Sequence, residues 1–168
     1  FNERFGRAFT VPEIYTPKDA SRIMGLDDPT KKMSKSAASP DNYVALLDSP
    51  AEIRRKIKRA VTDSGTEIKY DPERKPAVSN LMDIYSGFSG FSHLEIVKRY
   101  RDLGYAKFKK DLAELLVKKL EPLQKRSQRL MKNKKALLQV LTGGAVRANR
   151  IAEKTLHDVH KKIGFVPK

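Results

Sequence analysis

Leu112, Leu115, Leu116, Leu120 and Leu123 recur at the three- and four-residue spacing of one helix face, with Lys119 among them. A stripe of this kind cannot be satisfied by a strand, whose faces alternate every second residue. It needs a neighbouring apolar surface, so it predicts a helical bundle with Leu112, Leu115 and Leu116 in its core. Pro122 lies inside the pattern and lacks an N–H, so a kink or restart is expected there. The same helical reading extends in both directions. Ser49-Pro50-Ala51-Glu52 reads as a capping box with proline at the first helical position, followed by Ile53, Ile57, Ala60 and Val61 on one face and Arg54, Arg55, Lys58 and Arg59 on the other. Ser92-x-x-Glu95 is a second box, opening a helix to about Asp102. A helix over about Ser79–Tyr85 is expected to be interrupted by Ser86-Gly87-Phe88-Ser89-Gly90-Phe91. The final helical region covers Ala136–Ile163, with a break expected at Gly143-Gly144.

The first 47 residues read differently. Positions 8–40 are rich in Pro, Asp and Ser, Arg22–Leu26 reads as a short strand, and Tyr43–Leu47 is an apolar run that periodicity does not assign. Too few strands are present for a sheet, so residues 1–47 are expected to be an incomplete α/β piece and residues 48–168 a helical domain. The chain opens on Phe1, and Phe1–Gly6 reads as the end of a helix capped by Gly6, which is the expectation for a piece of a longer protein.

Charge divides the chain again. Of 35 Lys/Arg and 20 Asp/Glu, residues 98–168 hold 20 and 6, a net of +14 out of +15. Such asymmetry predicts a polyanionic partner for the C-terminal part, RNA or DNA first. There are no cysteines, so disulfides and thiolate metal sites are excluded, and His93, His157 and His160 have no zinc spacing. No metal ligands are expected. No apolar run approaches the ~20 residues of a membrane span.

The densest local chemistry is Lys32-Met33-Ser34-Lys35-Ser36, between Asp27-Asp28-Pro29-Thr30 and Ser39-Pro40. Two ammonium groups three residues apart, with two hydroxyls and free backbone N–H groups, suit a loop that grips phosphates. The pentapeptide resembles the second signature of class I aminoacyl-tRNA synthetases. The longer run Arg22-Ile23-Met24 with Asp28-Pro29-Thr30-Lys31-Lys32-Met33-Ser34-Lys35-Ser36 resembles the bacterial tryptophanyl members of that class. So do Ala60-Val61-Thr62-Asp63-Ser64, Pro76 with Ser79-Asn80-Leu81, Ile84-Tyr85-Ser86, and Gly144 with Ala148-Asn149-Arg150. The likeness extends over essentially the whole chain. It departs at Ala37, where many members carry Asp, and the family's first signature, His-Ile-Gly-His, is absent.

The resemblance implies a mainly α fold, with an anticodon-binding helical bundle preceded by the tail of a Rossmann-like nucleotide-binding domain. It implies a tryptophan–tRNA ligase, a cytoplasmic enzyme that activates tryptophan with MgATP and passes it to tRNA(Trp). Lys35 and Lys32 would be catalytic. Ile23, Lys32, Met33, Ser34, Lys35 and Ser36 would bind ATP, whose Mg2+ is held mainly by phosphates and water. Arg147, Asn149, Arg150 and Lys154 would contact tRNA. The tryptophan pocket would lie outside this chain, the chain alone would be inactive, and the full-length protein would be a homodimer. The rival expectation is a stand-alone helical RNA-binding module that retains a synthetase-like loop.

Overall fold

A computed structural model of the chain describes residues 1–15 and 22–165. Its helices are α1 (Asn2–Phe5), α2 (Pro50–Arg59), α3 (Pro76–Ser89), α4 (His93–Arg99), α5 (Gly104–Lys132) and α6 (Lys134–Ile163), with one 3-10 turn at Pro40–Asn42. Two compact units are present, Thr16–Arg126 and Phe1–Tyr15 with Ser127–Lys168.

The first unit holds the core. Ile53 and Ile57 of α2, Val78, Leu81 and Met82 of α3, Ile96 of α4, and Phe108, Leu112 and Leu116 of α5 are buried together, and Leu26 joins them from the N-terminal segment. Leu115 packs against this cluster from its edge. The rings of Tyr85, Tyr100 and Phe108 meet at 5.1–5.8 Å, a spacing at which edge-to-face and offset contacts are attractive. The Tyr100 hydroxyl donates to Asp111 Oδ2 at 3.1 Å, and burial pushes its pKa far up.

The helix ends follow the sequence in part. Ser92 and Glu95 form the full reciprocal box. At α2 the Ser49 hydroxyl accepts from Glu52 N, but the Glu52 carboxylate turns to Arg55 at 2.9 Å, so only half the box forms. Two expected breaks do not occur, one helix ends earlier than expected, and the helix holding Pro122 does not restart there. Helix α3 continues through Gly87 and ends at Gly90, whose left-handed φ of 79° supplies the stop. A helical glycine costs only about 1 kcal/mol, which the buried Leu81, Met82, Ile84 and Tyr85 of the same helix offset. Helix α4 ends at Arg99, short of Asp102, which takes a left-handed φ of 62° that Asp tolerates better than most residues. Helix α5 starts at Gly104 and runs past Pro122, forfeiting only the bond that a residue-122 N–H would make. Helix α6 runs unbroken through Gly143-Gly144. Val61 and Leu123, expected inside, are exposed. The strand expected at Arg22–Leu26 reduces to one antiparallel bridge, Met24 with Lys32, and the described residues form no sheet. The chain is helical, as expected.

In the second unit, local contacts shape the helix ends. Asn2 closes the turn after α1, its Oδ1 accepting from Ala8 N and Phe9 N and its Nδ2 donating to Phe9 O. Phe1 meets Phe5 and Phe9 at 5.0 and 5.2 Å. Asn133 caps α6 through Ala136 N at 3.0 Å. Gly164, with φ of 81°, ends it, and the Phe165 N–H returns to His160 O.

Candidate nucleotide-binding groove and basic helix face

The segment Ile23–Gly25 lies antiparallel to Lys31–Met33. Gly25 N donates to Lys31 O at 2.8 Å and Met33 N to Ile23 O at 3.0 Å. The turn between them is made by Asp28, whose Oδ1 accepts from Thr30 N at 3.0 Å and Thr30 Oγ1 at 2.6 Å, with Lys31 Nζ 3.1 Å from Oδ2. The Thr30 hydrogen bonds, helped by Lys31, hold the Asp28 carboxyl down at about 2. The acidic flank of the pentapeptide therefore shapes the turn and is already engaged.

The loop then tightens on itself. Ser34 Oγ accepts from Ser36 N at 3.1 Å, Ser34 O accepts from Ala37 N at 3.2 Å, and Ser34 N donates to Asn42 Oδ1 at 2.9 Å. Lys32 and Lys35 are exposed and join no ion pair among the described residues. A groove of about 790 Å3 is lined by Ile23, Lys32, Met33 and Lys35 together with the apolar run Tyr43, Val44, Ala45, Leu46 and Leu47. The structure thus brings four of the six expected ATP residues to one surface. Ser34 and Ser36 sit on the adjoining turn and do not line it. The Ser34 hydroxyl oxygen is used as an acceptor, which leaves its proton free to donate.

The apolar wall from Tyr43 to Leu47 was not assigned from the sequence. Its signal was the apolar run itself, whose Leu46 and Leu47 stay exposed. The wall is anchored from behind. Lys56, buried on α2, pairs with Asp48 at 2.7 Å and lies 4.9 Å from the Tyr43 ring centroid. Asp48 Oδ2 also accepts from Ala45 N, and Gln124 of α5 donates to Leu46 O and Asp48 O.

The run Ala60–Ser64 also acquires a physical role. Val61 N donates to Leu26 O at 2.8 Å. Asp63 Oδ1 accepts from Tyr105 Oη at 2.7 Å and Gly65 N at 2.8 Å, with Lys75 Nζ at 3.3 Å. Burial pushes against ionisation of Asp63, but the hydrogen bonds from Tyr105 and Gly65 with Lys75 win, and its carboxyl stays below the usual range. Burial raises Tyr105. These contacts tie the loop before α3 to the first turn of α5.

The second set of expected residues lies on α6. At about 100° per residue, Arg147, Arg150 and Lys154 fall within one face, and Asn149 points away from it. All four are exposed. Lys161, not singled out from the sequence, shares the basic face. Gly143 leaves room for Arg147, whose Nη1 would lie 3.6 Å from a Cβ placed there. Among the described residues, no cluster of three or more His, Cys, Asp or Glu side chains is placed to hold a metal, and no helix is long and apolar enough to cross a membrane.

The helical fold and the lysine loop are found in a chain with clear relatives. Residues 1–121 match the family model described as tRNA synthetases class I (W and Y), and the chain belongs to that family. Within it, the chain is similar to tryptophan–tRNA ligases. It is 45% identical over 168 residues to that of Clostridium perfringens and 48% identical over 165 residues to that of Listeria monocytogenes, covering 100% and 98% of this chain and 50% of each relative. Two solved structures are also similar. The tryptophanyl-tRNA synthetase of Mycoplasma pneumoniae aligns at a TM-score of 0.81 with 26% identity. That of Campylobacter jejuni, complexed with ADP and tryptophan, aligns at 0.66 with 29% identity. Each alignment covers 98% of this chain and 50% of the other. The chain spans about half the length of the curated relatives it matches.

Proposed function

We propose that this chain is the part of a tryptophan–tRNA ligase that closes on ATP and holds the tRNA, with residues 1–47 completing a nucleotide-binding domain and residues 48–168 forming the RNA-binding domain. The observation that carries this reading is the convergence of Ile23, Lys32, Met33 and Lys35 on one groove with the apolar Tyr43–Leu47 run. An apolar wall in one groove with two unpaired ammonium groups suits a ligand with a flat base at one end and phosphates at the other. Met33 and Ile23 would flank adenine, and Lys32 and Lys35 would reach the phosphates. Attack of the tryptophan carboxylate on the α-phosphorus forms the adenylate and releases pyrophosphate. Charge grows on the departing oxygens, so cations fixed in advance stabilise the transition state more than bound ATP. Lys35 takes this role with Lys32 assisting, and Ser34 and Ser36 donate to phosphate oxygens. The Mg2+ of MgATP would be held by phosphates and water.

The aminoacyl group then passes to tRNA(Trp), which the basic face of α6 holds through Arg147, Arg150 and Lys154, with Asn149 on the neighbouring face. The working protein would be a cytoplasmic homodimer of the relatives' full length. The test is tryptophan-dependent exchange of pyrophosphate into ATP. A protein of the relatives' full length that carries this chain is expected to catalyse it, and this chain alone is not. Exchange that is absent from the full-length protein, or supported by another amino acid in place of tryptophan, defeats the reading.

A further inference from the structure

Two buried asparagine side chains hold the segments that carry Ile23 and the lysine loop, and neither has a place in the chemistry above. Asn42 and Asn80 are 5% and 4% exposed. A buried amide is costly unless its donors and acceptor are met, and here the partners are backbone groups of Met24 and Ser34 and the Asp27 carboxylate, all beside the groove. Asn80, on α3, accepts from Met24 N at 2.7 Å and donates to Met24 O at 2.9 Å. Both polar groups of the residue after Ile23 are thus fixed to the helical core. Asn42 accepts from Ser34 N at 2.9 Å and donates to Asp27 Oδ1 at 2.6 Å, and its own carbonyl accepts from Leu26 N at 2.9 Å. It joins the start of the lysine loop to the turn on the opposite strand. An independent observation is the space around Gly25. A Cβ built there would overlap Asn42 Nδ2 and sit 3.2 Å from Asn42 Cγ and 3.0 Å from Asp28 O, so the chain narrows to a glycine where the amide and the turn press on it.

We propose that Asn42 and Asn80 are positioning residues for adenylate formation: Asn80 sets the Ile23–Gly25 strand, and Asn42 sets Ser34 and through it the direction in which Lys35 is presented. The inference rests on the proposed role of the lysine loop. Neither amide touches ATP or tryptophan in this account. Their loss should therefore slow the step that depends on Lys35 geometry and leave amino-acid affinity alone. Displacing a catalytic group by about 1 Å can cost on the order of 10²-fold, and a softened loop should lose at least about tenfold.

The experiment uses a protein of the relatives' full length carrying this chain, with single-turnover adenylate formation and tryptophan Kd as the two readouts. Asn42→Asp removes the donor and sets a second carboxylate against Asp27. It is expected to slow the single-turnover rate by about tenfold or more, with tryptophan Kd unchanged. The double variant Asp27→Asn with Asn42→Asp reverses donor and acceptor while still accepting from Ser34 N, and is expected to recover most of the rate. Asn80→Ala should show the same split between rate and affinity. Lys35→Ala separates the two ideas. If Lys35→Ala is slow and Asn42→Asp is as fast as the parent, positioning is wrong and the loop reading stands. If Lys35→Ala is itself as fast as the parent, the loop reading fails and the positioning proposal goes with it. Should Asn42→Asp not fold, the double variant decides: folded and fast supports the exchange, folded and slow overturns it.

Discussion

Helices α5 and α6 are nearly the same length, 29 and 30 residues, and both carry an apolar stripe. Yet α5 buries Phe108, Leu112, Ala113, Leu116 and Leu120, and α6 buries nothing. Leu138, Leu141, Val146 and Ile151 of α6 are all at least 60% exposed. Even within α5 the burial stops, since Leu123, Leu130 and Met131 are exposed. The comparison separates two things that periodicity merges. The spacing of apolar residues fixes that a segment is helical and which face is apolar. Whether that face is covered depends on what the rest of the molecule presents to it.

The contrast can be broken by core truncation. In this chain Leu112→Ala should cost about 2–5 kcal/mol of unfolding free energy, whereas Leu141→Ala should fall within about 0.5 kcal/mol, measured by urea denaturation. Similar losses at the two sites would mean that α6 is packed in solution.

Function should divide along the same line. In a full-length protein Lys35→Ala is expected to lower the single-turnover rate of adenylate formation by about 10²–10³-fold while leaving tRNA affinity alone. Reversing Arg147 and Arg150 to Glu should do the opposite, weakening labelled tRNA and flattening the fall of affinity with salt, because fewer counterions are released. The matched control is Lys58→Glu. Arg54 makes a poorer one, since it is forked onto Glu114 at 2.7 and 2.9 Å and its reversal would also set two carboxylates together. Equal losses from the α6 pair and the Lys58 control would reduce the basic face to a solubilising surface.

The smallest effect concerns pH, and it belongs to the packed unit alone. Burial raises Tyr100 and Tyr105 above the unfolded phenol value of about 10. The protonated phenols therefore contribute stability that is whole below pH ~10 and lost as pH rises past it. Asp63, held low, contributes stability that is present above about pH 4 and lost as pH falls through its folded value. Urea midpoints at pH 8 and 10.5 should differ in the parent, and Tyr105→Phe should reduce the difference. An unchanged slope would remove Tyr105 from the account.

Much of this was legible in the sequence, for reasons that differ by residue. The lysine loop could be read because its chemistry lies in consecutive positions. The caps at Ser49 and Ser92 could be read because their partners are three residues away. Asn42 and Asn80 could not, because a buried amide takes its meaning from distant partners: Met24 is 56 positions from Asn80. Gly87 and Gly143 were read as breaks because local propensity disfavours them, but the helix on either side outweighed that preference. The actual stops, Gly90 and Gly164, are set by a backbone dihedral. The Tyr43–Leu47 wall stayed unassigned because five apolar residues in a row carry no period.

The close approach of Asn42 to Gly25 has a consequence for how this sequence can drift. A methyl group at position 25 and an amide at position 42 compete for the same volume, so position 25 is not free to vary while Asn42 stays. Gly25→Ala should be harmful beside Asn42 and less so beside a smaller residue there, with a remaining cost from the Asp28 backbone oxygen 3.0 Å from the same Cβ, giving a non-additive pair in a double-mutant cycle. Descendants of this chain would then inherit a change at position 25 only with one at position 42. A library that randomised the two would return a new residue at position 25 mostly where position 42 had changed as well.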